Sequence, residues 1–293
     1  MKAQEYSAEE KSRLLEWAGL AVLILFTAMA VLGYWTFGLH PNLIPDSDFS
    51  REFYGLSFRL FARAHIVVAG IVLAVKLYRH SDLRWVGGFV AVALASFLSE
   101  HIGTGYGFPF GGYEYTGLLG YKLGGRVPFL IPISWFLMAL PSWILASMVF
   151  PGRGKSVPRL VLAAYLLTVW DLALDPAMSR LTPYWVWENP GPYYGMPWVN
   201  LAGWMGTGLV LMGILEALKV GQWTSRLDVR WILAYYLVVL LMPVGMLAAS
   251  GIWTPILVTG VALILPMGAL LSRMRVRRPA ETMAALSGGG SVR

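Results

Sequence analysis

Long apolar segments recur along the chain, separated by short polar connections or by stretches rich in glycine and proline. A helix needs about 20 apolar residues to cross the hydrocarbon of a bilayer. Eight segments meet that length, and their spacing predicts an all-α fold, a polytopic membrane bundle of about eight transmembrane helices. The predicted segments cover residues 15–38, 57–78, 83–102, 127–150, 157–178, 197–220, 229–249 and 252–273.

The composition supports this interpretation. Hydrophobic residues make up 57% of the 293 positions and charged residues only 13%, against about 25% charged in a typical soluble domain. The chain has no cysteine, which excludes disulfides, thiolate metal sites and cysteine nucleophiles. Its net charge of +7 comes from basic residues in short connections, a pattern typical of membrane proteins. We therefore expect membrane lipids as partners and no nucleic acid.

The basic residues lie mostly on one side of the predicted bundle. Eight spans place both termini on the same side, and 17 of the 23 lysines and arginines lie in the ends and connections of that side. The positive-inside rule then predicts that both termini are cytoplasmic. We expect a multi-pass protein of the cell membrane, with one transmembrane domain over residues 1–273 and a basic, disordered tail over residues 274–293. The acidic start does not resemble a secretory signal, so the first segment is expected to remain as a helix.

Ionisable residues at membrane depth converge on one layer near the outer end of the predicted bundle. At a helical rise of about 1.5 Å per residue, Glu100, Asp171 and Asp175 all reach this layer from outward-running helices. A charge in hydrocarbon costs roughly a few kcal/mol, so such residues pair or face the bundle interior. They form either a network of ion pairs or a functional site, and their concentration in one layer favours the functional site. The other members of this layer are Arg59, Arg63, His65, His101 and Asn200.

Asp171 and Asp175 are spaced i, i+4 and therefore share one helix face. Two carboxylates that compete in a medium of low dielectric constant cannot both ionise easily, so one of them is expected to keep its proton near neutral pH. An acid with a proton to give, beside a carboxylate that can accept one, suits general acid–base chemistry. Asp175 precedes Pro176 and has an alternative role in anchoring the helix end, which makes Asp171 the stronger candidate.

Two outer connections, residues 103–125 and 179–196, are rich in glycine, proline, tyrosine and tryptophan. Such residues are common in the aromatic belt at a membrane interface. They also suit a cover over a pocket, in which aromatic faces stabilise a cation. The glycines do not match a dinucleotide or phosphate-binding loop. The four histidines lack the spacing of a di-iron site, and no metal is expected.

Three blocks carry a resemblance to a known family. They are SEHIGTGYGFPFGGYEYTGLLGYKLGGRVPFLIPISW (residues 99–135), WDLALDPAMS (170–179) and WVWENPGPYYGMPWVNLAGW (185–204). In these blocks the chain resembles the integral-membrane carotenoid 1′,2′-hydratases, which include the bisanhydrobacterioruberin hydratases. The resemblance covers most of residues 99–204 and does not extend to the rest of the chain.

The resemblance implies addition of water to the terminal 1′,2′ double bond of an acyclic carotenoid end group, such as that of lycopene or γ-carotene. The product is a tertiary alcohol, and no cofactor is needed. By motif position the acids carried over are Glu100, Glu114, Asp171 and Asp175, with Glu188 as a supporting charge. The residues expected to bind the substrate are Tyr106, Phe108, Phe110, Tyr113, Tyr115, Trp135, Trp170, Trp187, Tyr193, Asn200 and Trp204.

The expected chemistry agrees with the layer of acids. Protonation of a trisubstituted alkene requires a shielded acid, for which Asp171 is the first candidate, and aromatic faces then stabilise the tertiary cation. Asp175 or Glu100 would orient the attacking water. One alternative is a proton-coupled transporter, although the acids lie off-centre and no inverted repeat is visible. Another is a membrane protein that binds carotenoid without catalysis.

Overall fold

The structure, a computed structural model, describes the backbone of residues 8–287 and the side chains of residues 13–275 apart from positions 62 and 153. Nine α-helices lie in the described part of the chain. They are α1 (Ala8–Gly33), α2 (Asp48–His80), α3 (Arg84–Tyr106), α4 (Leu130–Val149), α5 (Ser156–Asp175), α6 (Trp198–Ala217), α7 (Val220–Trp223), α8 (Val229–Ala249) and α9 (Thr254–Ser287). Short strands are β1 (Tyr113–Tyr115), β2 (Lys122–Leu123), β3 (Val127–Pro128) and β4 (Trp185–Trp187).

The predicted all-α class and the eight spans are confirmed. Within the described residues, eight helical segments are long and apolar enough to cross a membrane, and each overlaps a predicted segment. The second begins earlier than predicted, at Asp48, because the side chain of Ser47 caps the helix and accepts a hydrogen bond from the Ser50 amide at 3.1 Å. At the other end of the chain, α9 continues to Ser287, so helix extends past residue 273, where a disordered tail is predicted. Residues 288–293 lie outside the described part.

Helix α4 forms the centre of the bundle. Its sequence LIPISWFLMALPSWILASMV carries no charge, and 83% of its most apolar stretch is buried, against 22% for α9. Helices α2, α3, α5, α6, α8 and α9 all contact it. A helix that is apolar on every face is stable only when surrounded, so the other spans pack around α4 and expose their own apolar faces to lipid.

The two glycine- and aromatic-rich connections meet as one structure. Strands β1 and β4 pair antiparallel, with Tyr113 opposite Trp187 and Tyr115 opposite Trp185. Both strands alternate buried and exposed residues, because side chains alternate between the faces of a strand. Their aromatic residues therefore face the bundle. We call residues 113–115 and 185–187 the cover. Because β1 follows α3 and β4 follows α5 in the chain, the C-terminal ends of these two helices lie at the cover.

A single phenylalanine anchors the connection that follows α3. The ring of Phe110 is 2% exposed and lies between two helical glycines. A Cβ atom at Gly103 of α3 would lie 2.8 Å from this ring, and one at Gly203 of α6 would lie 2.6 Å from it. No real Cβ tolerates such distances, so both positions require glycine for the ring to fit.

We predict that Gly203→Ala destabilises the protein, because the added methyl group overpacks Phe110 and the Pro109 carbonyl. Overpacking a well-filled site typically costs about 1–3 kcal/mol. The matched control is Gly206→Ala on the same helix, where a Cβ meets nothing within 4 Å. Thermal unfolding in detergent should show a lower melting temperature for the first variant only. Equal melting temperatures would contradict the close packing.

The orientation of the bundle remains a prediction, with both termini on the cytoplasmic side. Since α3 and α5 end at the cover, the connections before and after α4 lie on opposite sides of the membrane. Alkaline phosphatase, which is active only outside the cytoplasm, should be active when fused after residue 125 and inactive when fused after residue 152. The reverse pattern would invert the topology.

Candidate active site

A cavity of about 50 Å³ lies under the cover, between the halves of α3, α4, α5 and α6 that are nearest to it. It is lined by Glu100, Asp171 and Asp175, the three acids that helical spacing predicts to lie in one layer. We call it the acid chamber. Its aromatic and amide walls are formed by Phe110, Tyr113, Tyr115, Trp135, Trp170, Trp185, Trp187, Asn200 and Trp204.

Glu100 receives three hydrogen bonds, although it is only 4% exposed. The Tyr115 hydroxyl donates to Oε2 at 2.8 Å and the Trp135 indole donates to Oε1 at 2.8 Å, while the Tyr113 hydroxyl also donates to Oε2. Burial raises the pKa of both tyrosine phenols well above its usual value, and the nearby Glu100 raises it further. Both phenols therefore remain protonated and available as donors, an arrangement that suits an ionised carboxylate.

Asp175 is held in a similar way by the cover. Its Oδ1 accepts from the Ser179 hydroxyl at 2.9 Å and from the Trp187 indole at 3.3 Å, and its Oδ2 accepts from the Trp185 indole at 3.1 Å. The carboxyl group thus ties the end of α5 to β4. Asp175 therefore has the anchoring role predicted from its position before Pro176. The same side chain also lines the acid chamber.

Asp171 differs from the other two acids because only one of its two carboxyl oxygens has a hydrogen-bond partner among the described residues. Its side chain is 0% exposed, and its Oδ2 accepts from the Asn200 amide at 2.7 Å. Its Oδ1 has no hydrogen-bond partner among the described residues, and neither does the indole nitrogen of Trp170 beside it. A buried polar atom without a partner costs about 1–3 kcal/mol. Such an atom in a chamber wall marks a place for a proton, a water molecule or a substrate atom.

Indole rings provide the remaining surface of the acid chamber. Trp135 and Trp204 stack with ring centroids 4.2 Å apart, and Trp170 lies 6.1 Å from Trp204. Tryptophan presents the strongest aromatic face for a cation. A positive centre within the acid chamber would lie between these faces and the buried carboxyl groups.

The alternative interpretation of the layer was an ion-pair network of Arg59 and Arg63 with Asp171 or Glu100, and the structure does not contain these pairs. No ion pair among the described residues reaches Glu100, Asp171 or Asp175. Arg63 instead donates to the Leu118 carbonyl at 2.9 Å, and Arg59 is exposed. The ion-pair interpretation of the layer is therefore wrong, because α2 meets the connection after the cover and not the acids.

Several other predicted site residues lie away from the acid chamber. Glu114 is exposed because it occupies the outward position of β1, between two inward tyrosines; successive side chains of a strand point to opposite faces. Glu188 is also exposed. Tyr106 is 82% exposed and Phe108 is 73% exposed. None of these four lines the acid chamber.

Three further predicted residues have supporting positions outside the acid chamber. The hydroxyl of Tyr193 donates to the Leu172 carbonyl of α5 at 3.0 Å. The ring of His101 packs on Phe97 at 5.5 Å. His65 lies 3.1 Å from the Thr27 hydroxyl, which itself donates to a backbone carbonyl.

Trp185 is a site residue that was not predicted from the sequence; it lines the acid chamber and its indole donates to Asp175. The sequence WVW at residues 185–187 could have predicted it. Trp187 was predicted to bind the substrate, and a strand places residues i and i+2 on the same face. No group of three or more His, Asp or Glu side chains with the arrangement of metal ligands occurs among the described residues.

A second cavity of about 90 Å³ adjoins the acid chamber. It lies between α2, α4, α5 and α8, and we call it the apolar chamber. Apart from His65, Ser134 and the ring edges of Tyr184 and two tryptophans, its walls are aliphatic or methionine side chains. The two chambers share the wall residues Ile131, Ser134, Met138, Trp170, Leu174 and Trp185.

Comparison with known proteins identifies the family of the chain. A profile of the family described as carotenoid biosynthesis protein matches residues 61–266, more than half of the chain. The chain belongs to this carotenoid biosynthesis family. The matched region runs from α2 into α9 and includes every residue of the acid chamber, which confirms the family resemblance carried by residues 99–204.

A curated relative from this area of metabolism is also similar. The bisanhydrobacterioruberin hydratase of Haloarcula japonica is 33% identical over 176 residues, which are 60% of this chain and 57% of that protein. The match thus spans less than two thirds of the relative's length. No solved structure matches the chain.

Proposed function

We propose that this protein is a carotenoid hydratase, a hydro-lyase that adds water across the terminal 1′,2′ double bond of an acyclic carotenoid end group without a cofactor. The observation that carries the proposal is the acid chamber. In it, buried Asp171 has one carboxyl oxygen without a hydrogen-bond partner among the described residues, and the other two acids accept three hydrogen bonds each. The apolar chamber beside it, the family and the named relative all support a carotenoid as the substrate. The cell membrane is the proposed location.

The unequal hydrogen bonding suggests how protons are divided among the three acids. A carboxylate that accepts three hydrogen bonds is stabilised in its ionised form, which suits Glu100 and Asp175. Asp171 accepts a single bond on Oδ2, so its free Oδ1 is the natural place for a proton. That proton faces the acid chamber, where the alkene would lie.

The proposed reaction has two steps, and the proton that is used in the first step is recovered in the second. Asp171 gives its proton to the less substituted alkene carbon, which leaves a tertiary cation between the indole faces and the Glu100 carboxylate. Water then attacks the cation and loses a proton to Asp175. Because Asp175 lies one helical turn from Asp171, it can return the proton and restore the starting state. The net change is addition of one water molecule and formation of a tertiary alcohol.

Expression in a host that makes lycopene or γ-carotene tests the proposal directly. We expect a pigment heavier by one water molecule, detected by mass spectrometry of the extracted carotenoids. A host with the empty vector is the control. If the intact protein is present in the membrane and only unchanged pigment co-purifies with it, the protein binds carotenoid without hydrating it and the proposal is wrong.

Replacement of the proposed donor should abolish the product. Asp171→Asn keeps the shape of the side chain but removes the acid, and loss of a general acid typically lowers a rate by roughly 100-fold or more. Glu114→Gln and Glu188→Gln are matched controls, because both remove an acid from the same cover region at an exposed position. The measurements are hydrated pigment per unit of membrane protein and the melting temperature. Full activity of Asp171→Asn would exclude Asp171 as the donor.

A further inference from the structure

A groove of about 430 Å³ opens on the surface of the bundle between α2, α3 and α4. None of its lining side chains is charged. Several are exposed large apolar residues, among them Val67, Ile71 and Phe129. They belong to membrane-spanning helices or to the start of α4, so this surface faces lipid. We call it the lateral groove.

Two side chains separate the lateral groove from the interior. Ile66 of α2 and Leu137 of α4 line both the lateral groove and the apolar chamber. The apolar chamber in turn shares walls with the acid chamber. The three cavities are therefore adjacent in order, from the lipid-facing surface to the three acids. The other two surface grooves described between α1 and α2 share no lining residue with either chamber.

A glycine lies beside these two side chains. Gly70 follows Ile66 by one turn of α2, and a Cβ atom there would lie 3.8 Å from both methyl groups of Leu137. That distance is ordinary van der Waals contact, so the position has room for a small side chain. Passage between the lateral groove and the apolar chamber would require the Ile66 and Leu137 side chains to change rotamer, since both line the two cavities.

We propose that the lateral groove is the access route by which a carotenoid leaves the bilayer and reaches the acids. The proposal rests on the proposed function. A polyene has no hydrogen-bonding group along its length, and it requires a path without charges from lipid to the reacting carbon. The lateral groove and the apolar chamber provide that path. The end group would pass Ile66 and Leu137 first and reach Asp171, while the remaining chain stays in the lateral groove.

A single engineered thiol tests the route. The chain has no cysteine, so Gly70→Cys introduces a unique labelling site that the space beside Leu137 tolerates. Labelling the folded protein with N-(1-pyrenyl)maleimide would fill the lateral groove. The matched control is Gly19→Cys on α1, where a Cβ would lie 3.6 Å from Val72 in a groove that does not adjoin the chambers.

Carotenoid hydration by each unlabelled variant in proteoliposomes is the reference for its labelled form. After labelling, the Gly70→Cys variant should lose product formation to the level of protein-free liposomes, and the Gly19→Cys variant should keep it. Retained activity of the labelled Gly70→Cys variant, or equal loss in both, would overturn the route.

The design separates this route from the hydratase proposal. If the unmodified protein forms no hydrated product, the hydratase proposal fails, and uptake of the polyene, followed by its absorbance on the purified protein, then tests the route alone. Lower uptake by the labelled Gly70→Cys variant than by the labelled Gly19→Cys variant supports the route. Equal uptake overturns it.

Discussion

The architecture at the cover end of the bundle depends on one constraint: three carboxyl groups are buried and must receive hydrogen bonds from neutral donors. An unsatisfied buried carboxylate is too costly to retain. The donors to Asp175 include Trp185 and Trp187 of β4, and those to Glu100 include Tyr115 of β1. The cover therefore forms where it does because the acids require its indole and phenol groups. Glycine at positions 103 and 203 then lets the connection after α3 approach the helices closely enough to pack above them.

The opposite end of the bundle satisfies buried charge in another way. Glu16 pairs there with Lys76 and His80, and Arg159 pairs with Glu216 at 2.5 Å. In those ion pairs each carboxylate is neutralised by a basic side chain, so no ligand is needed. In the acid chamber, Glu100, Asp171 and Asp175 accept hydrogen bonds only from uncharged donors, so the acid chamber has a net preference for positive charge. That contrast distinguishes the acid chamber from a structural ion-pair network and is consistent with the proposed carbocation.

The order of the three cavities adds a physical reason for the position of the acids. In the proposed reaction, a hydrophobic polyene and a water molecule meet at one carbon, although they come from different surroundings. The acid chamber lies under the cover near the end of the bundle, and the apolar chamber and the lateral groove lie between it and the lipid-facing surface. A site at this depth would shield the reacting carbon and still leave water a short distance away.

The sequence by itself determined the eight spans, the layer of acids and the family, because hydrophobic length, helical spacing and motif order are local properties of the chain. It also selected Glu100, Asp171 and Asp175 correctly as neighbours. Only the tertiary structure decided which of the aromatic residues face the acids, since the pairing of β1 with β4 joins segments about 70 residues apart. The same pairing turned Glu114 outward. The packing of α2 against the connection near Leu118 took Arg63 away from the acids. Contacts between distant segments depend on how whole helices pack, and no local pattern contains that information.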